Sequence, residues 1–118
     1  MTDPLSKIRE AALELPETEE RLSHGQSTFF VAGKQFAQFR DNHHGDGKTV
    51  VCVRISGLDE QAMLLEADPE TYSKPAYLPS WISIDVAGDN VDFDHVADRI
   101  AASWELAAPR RLLEAGGR

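Results

Sequence analysis

Ser27-Thr28-Phe29-Phe30-Val31-Ala32-Gly33-Lys34-Gln35-Phe36-Ala37-Gln38-Phe39-Arg40 is the stretch that decides how this chain folds. Ser27 to Val31 is aromatic and β-branched, the composition that fits a pleated, half-buried surface. Ala32-Gly33-Lys34 interrupts it as a tight turn. Gln35 to Arg40 then alternates apolar and polar residues with period two, the mark of a strand with one buried face. Two such runs joined by so short a turn predict a β-hairpin.

The reading extends outward from this hairpin. Upstream, residues 18–24 around Arg21-Leu22-Ser23-His24 predict a short strand ended by Gly25, which makes a meander. Downstream, the polar Asp41–Lys48 loop leads into Thr49–Ile55, whose near-continuous apolar run predicts a central strand. Asp3 before Pro4 is a helix start, and Leu5, Ile8, Ala12 and Leu15 recur at helical spacing, so a first helix is expected over 4–15. Asp59 is expected to cap a second helix through Ala67, with Met63 and Leu64 toward the core. Residues 71–80, near or containing Pro69, Pro75 and Pro79, read as irregular. Trp81–Val86 alternates as a strand. Asp92 or Asp94 caps a last helix whose Val96, Ile100, Trp104 and Ala107 form one apolar stripe, and Arg110–Ala115 continues as a short helical turn. The order is α-β(3–4)-α-β(2)-α. It predicts a two-layer α+β domain spanning residues 1–118, with an antiparallel sheet of five or six strands and helices on one face.

At 118 residues, with 42% apolar and 27% charged side chains, the chain can build one hydrophobic core without staples. Cys52, the one cysteine, lies in an apolar strand and reads as a small buried hydrophobe, which fits a reducing compartment. No apolar run approaches the roughly 20 residues that span a bilayer, and the N-terminus has no signal-peptide core, so a cytoplasmic location and no membrane partner are expected. The net charge of −8 opposes non-specific attraction to nucleic acid, but the charge is uneven. Residues 57–73 and 85–98 hold five acids each and no Lys or Arg, whereas Lys34, Arg40, Lys48 and Arg54 face only Asp41 and Asp46 in residues 33–54.

Three segments resemble the MmcQ/YjbR-like family. They are Phe29-Phe30-Val31-Ala32-Gly33-Lys34-Gln35-Phe36-Ala37; Leu64 to Tyr72 followed by Pro75-Ala76-Tyr77 and Trp81-Ile82-Ser83-Ile84; and Ser103-Trp104-Glu105-Leu106-Ala107-Ala108-Pro109-Arg110-Arg111-Leu112. The resemblance covers nearly the whole chain, and the polar, histidine-containing Asp41–Lys48 loop departs from the pattern. It implies an α-β(3–4)-α-β(2)-α fold similar to type III secretion chaperones and to frataxin, and DNA association through a pair of β-hairpin wings. It implies no catalytic motif.

The candidate functional residues follow. Lys34 at a hairpin tip, Arg40, Lys48, Arg110 and Arg111 form the expected phosphate-binding set, with hairpin-tip bases straddling a backbone. Tyr72, Tyr77 and Trp81 are more aromatic than a loop requires and predict a groove, the basis of an alternative protein-interaction role. Glu10, Glu14, Glu17, Glu19 and Glu20 form an acidic ridge on which weak metal binding is a third reading. His43-His44-x-Asp46 lacks a third ligand, and the Asp89–Asp94 run puts Val91 and Phe93 where a calcium loop needs oxygen ligands. With no nucleophile elbow and no Walker spacing, the sequence leans away from an enzyme and calls for no cofactor.

Overall fold

The computed structural model describes residues 3–42, 45, 47–75, 78–88 and 90–115. The elements run α1 (Pro4–Leu13), β1 (Thr18–Ser23), β2 (Gln26–Val31), β3 (Lys34–Asp41), β4 (Thr49–Arg54), α2 (Leu58–Ala67), β5 (Tyr72–Ser73), β6 (Trp81–Asp85), α3 (Phe93–Ala107) and α4 (Arg110–Glu114). The strands form one antiparallel sheet in the order β1-β2-β3-β4-β6-β5, with β4 central as its apolar run requires. The class is α+β, as the periodicities predict.

Two-residue turns fix the register of the meander. Ala32 (φ 49°) and Gly33 (φ 82°) join β2 to β3, and His24 (φ 53°) and Gly25 (φ 79°) join β1 to β2. Both turns place two successive residues in the left-handed region. That is the turn type whose twist matches the flanking strands.

Phe29 pairs with Ala37 but Phe30 pairs with Gln35, so Phe36 is an extra residue in β3. This bulge sends Phe36 and Ala37 both into the core. Ser103 of α3 secures it: its hydroxyl donates to the Phe36 carbonyl and accepts from the Arg54 backbone N–H. Trp104, fully buried beside it, donates its indole N–H to the Pro16 carbonyl at 3.0 Å. The apolar stripe of α3 packs on the helical side of the sheet against Phe29, Val31, Phe36, Val51, Val53, Ile82 and Ile84.

Three local expectations change. Gly57, not Asp59, stands at the cap of α2, which begins at Leu58 and has no side-chain cap. The inward face of α2 therefore carries Gln61 and Leu64, and Met63 is 59% exposed. Part of the segment read as irregular pairs with β6 as the short edge strand β5. At α1 and α3, Asp3 and Asp92 cap as expected.

Ion pairs tie the helices to the strands. Glu20 accepts both Nε and Nη2 of Arg9, which hold its carboxylate below the usual range. Glu60 is lowered by the Ser56 backbone N–H and then by Arg99. Glu17 is lowered by Arg111. Carboxylates whose folded pKa is depressed stabilise the fold above the unfolded value and lose that contribution as pH falls through the folded one. The urea midpoint is therefore expected to hold steady down to about pH 4.3 and to fall below it, with Glu20→Gln flattening part of the decline.

Candidate functional site

Strand alternation gives the sheet a second face, turned away from the core. The register pairs Glu19 with Phe30 and Phe30 with Gln35, and Arg54 with Trp81, the two sets meeting where Arg54 Nε reaches the Gln35 carbonyl; Arg21, Thr28, Gln38, Cys52 and Ser83 form the next row. The middle of this face is polar and internally bonded. Gln38 Nε2 donates to Thr28 Oγ1 at 3.0 Å, Arg40 Nε donates to Gln38 Oε1 at 2.8 Å, and Cys52 Sγ lies 3.3 Å from Ser83 Oγ. Val50, Cys52 and Trp81 form a small apolar cluster there, with Leu78 against it.

Arg54 ends β4 on this face. Its Cζ lies 5.0 Å from the centroid of the Trp81 ring, and its Nε donates to the Gln35 carbonyl at 2.7 Å. Among the described residues no carboxylate pairs with Arg54 and its two Nη groups have no acceptor. Burial alone pulls its pKa below the usual guanidinium value. A half-buried cation with donors to spare is an incomplete arrangement that an anion would complete. Three strands away, Arg21 repeats the motif with Cζ 5.0 Å from the Phe30 centroid, although Glu19 also holds it at 2.6 Å.

The residues expected to bind phosphate do not form one patch. Lys34 opens β3, whereas Lys48 precedes Thr49, the partner of Asp41 at the other end of β3. About 23 Å of strand separates those ends. Arg40 is buried, 7% exposed, in the polar chain above. Arg110 pairs with Glu114, and Arg111 is bidentate to Glu17. The expected groove also divides. Tyr72 lies in the main core, while Trp81 lies on the other face under Arg54. Tyr77, His43, His44, Asp46 and Asp89 lie outside the described residues. In the acidic ridge, Glu17, Glu19 and Glu20 are each engaged by an arginine. Among the described residues no three His, Cys, Asp or Glu side chains come together as a metal-holding group.

A cavity of about 530 Å³ opens at the far end of the sheet, where β5 and β6 meet the start of α3. Asp68, Glu70, Asp85 and Asp92 line it without a lysine or arginine, and Tyr72 and His95 share a hydrogen bond within it. Three of these acids already serve the backbone: Asp68 accepts from Thr71 N–H, Asp85 from Ala87 N–H, and Asp92 from Asp94 and His95 N–H.

Sequence reasoning passed over Arg54 and Phe30 as site residues and the Tyr72–His95 pair as a contact. The first had a readable signal: Arg54 follows four apolar β residues at the same strand parity as Cys52. The second had none, because 23 residues separate its members.

A six-stranded antiparallel sheet backed by helices on one face defines a small α+β protein. A family model described as YjbR matches residues 13–106, and the chain belongs to that family. No curated protein matches the sequence. Among solved structures, the fold is similar to that of the Deinococcus radiodurans protein DR2400, whose crystal structure carries the family-model domain DUF419. The TM-score is 0.73 at 16% identity, over 91% of this chain and 80% of that one. No helix among the described residues is long and apolar enough to cross a membrane.

Proposed function

We propose that this protein binds nucleic acid through the partly exposed edge row of the sheet face turned away from the core, centred on Arg54 rather than on the hairpin tips and tail arginines. The observation that carries this reading is Arg54 itself. It is half-buried, rests over Trp81 and, among the described residues, has no carboxylate partner and no acceptor on its two Nη groups. Exposed Lys34 stands at the corner of the same end of the sheet. By register, Arg21 and Arg54 share the accessible part of this face with Glu19 and Asp85, while Arg40 is buried within it, so this face is near neutral on a chain of net charge −8. Many of the remaining acids belong to the helices and the cleft, which would orient an approaching polyanion toward the sheet.

The expected result is weak binding of a labelled oligonucleotide that declines as salt rises. Arg54→Ala should weaken it about tenfold, the scale of one charge-assisted contact, and Lys34→Glu should weaken it further. Anisotropy titrations at low and physiological salt make the measurement. Oligolysine is the second probe, because the acidic cavity favours a basic segment and thereby the protein-interaction reading. Binding of oligolysine with no binding of nucleic acid at low salt would move the function to the cleft.

A further inference from the structure

We infer that the strand bound on this face of the sheet is single-stranded, held by bases stacking against Arg54 on β4 and the Arg21–Phe30 pair on β1 and β2; this rests on the nucleic-acid reading above. Three features of the molecule favour a single strand over a duplex. A duplex is read by an element entering a groove while bases grip the phosphates on either side. At the two fully described tips, His24-Gly25 and Ala32-Gly33, only Lys34 among the immediate neighbours is a base, and the β3–β4 connection at the opposite end of the sheet adds Lys48. Arg110, Arg111 and Arg40 are committed to Glu114, Glu17 and Gln38, so they add little grip.

The middle of this sheet face is buried, Trp81 included, but its edge row keeps Arg21 exposed and Phe30, Gln35 and Arg54 partly exposed, which offers surface to unpaired bases. Arginine guanidinium planes and aromatic rings serve as stacking surfaces for splayed bases. Here the two kinds are combined twice, as Arg54 over Trp81 and Arg21 over Phe30, each at 5.0 Å. The rings hold the guanidinium groups in place, so less side-chain freedom is lost on binding. Phe30 and Trp81 sit on β2 and β6, three strand spacings apart in the sheet, or about 14 Å. That is a separation a few nucleotides span. Gln35 lies between them on β3, paired with Phe30, with a side-chain amide suited to base edges.

Stacking also resolves the charge problem. It depends on contact area more than on net charge, so a chain of −8 can use it where long-range attraction fails.

The test compares a labelled mixed-sequence single strand with the duplex of the same sequence, using wild type, Arg54→Ala and Arg54→Lys. Lysine keeps the charge and loses the plane. The single strand is expected to bind at least tenfold more tightly than the duplex. Arg54→Lys is expected to lose about as much single-strand affinity as Arg54→Ala, roughly tenfold, in line with one lost stacked base. Thermal melts establish that each variant is folded. If neither Arg54 variant folds, Phe30→Leu, which keeps the apolar bulk and removes the ring, should show the same selective loss. Equal affinity for duplex, or full affinity in Arg54→Lys or Phe30→Leu, would overturn the single-strand inference and leave nucleic-acid binding standing. No binding of either form at low salt would overturn both.

Discussion

Replacing Trp104 by alanine is expected to remove about 3–5 kcal/mol of folding stability, the range for deleting a large buried aromatic. For a domain of this size that lowers the melting midpoint by more than 10 °C, at about 4 °C per kcal/mol. Trp104 has no exposed surface and sits where α1, α3 and the sheet meet. Its removal leaves a cavity walled by backbone-anchored elements that cannot collapse onto it. It also strips the Pro16 carbonyl of the indole N–H that satisfies it. Because Pro16 begins the passage from α1 to β1, the loss should spread to the docking of α1. Trp104→Phe separates the two contributions: it restores most of the volume and none of the hydrogen bond, and should cost about 1–2 kcal/mol. Thermal and urea unfolding followed by far-ultraviolet circular dichroism check both. A Trp104→Ala midpoint within a few degrees of wild type would contradict the buried placement.

Ser103→Ala is the second large effect, expected at about 2–4 kcal/mol from a change of one atom. The hydroxyl is buried and bridges two backbone groups that the bulge in β3 removes from the ladder, the Phe36 carbonyl and the Arg54 N–H. Alanine leaves both without a partner in the interior, and each unsatisfied group carries its own desolvation penalty. Ser103→Cys fills the same space with weaker bonding and should fall between. Urea unfolding gives the stabilities, and amide exchange should show protection of Arg54 N–H lost in Ser103→Ala beyond the global change. Since Arg54 also carries the proposed site, the variant should reduce oligonucleotide affinity even where it is fully folded.

Much of the architecture was legible along the chain because it rests on local periodicity. Phe29 and Phe36 faced inward, the Val96–Ala107 stripe packed on them, and Asp3 and Asp92 capped their helices. The start of α2 was not legible. Asp59 is a better capping residue than Gly57, yet the chain leaving β4 reaches helical geometry at Leu58, and that one residue turns Met63 outward. Tyr72–Ser73 was not legible as a strand because two residues carry no period, and only pairing with β6 makes them one.

The site divides in the same way. Counting bases located Lys34, Arg40 and Lys48 in one region of sequence, and the strand then placed Lys34 and Lys48 at its two ends. Counting could not show that Arg111 meets Glu17 across 94 residues, or that Arg40 is buried against Gln38 on the sheet's second face.

The sequence by itself determined the element types, the hairpin turns and which stripe of each helix is apolar, because spacing of 2 or 3.6 residues acts over neighbouring positions and needs no partner. Tertiary structure alone decided which charges are neutralised and which guanidinium, among the described residues, lies over a ring without a carboxylate. Those outcomes depend on which strands become neighbours, and neighbours in a sheet are set by the closure of the whole chain rather than by any segment of it.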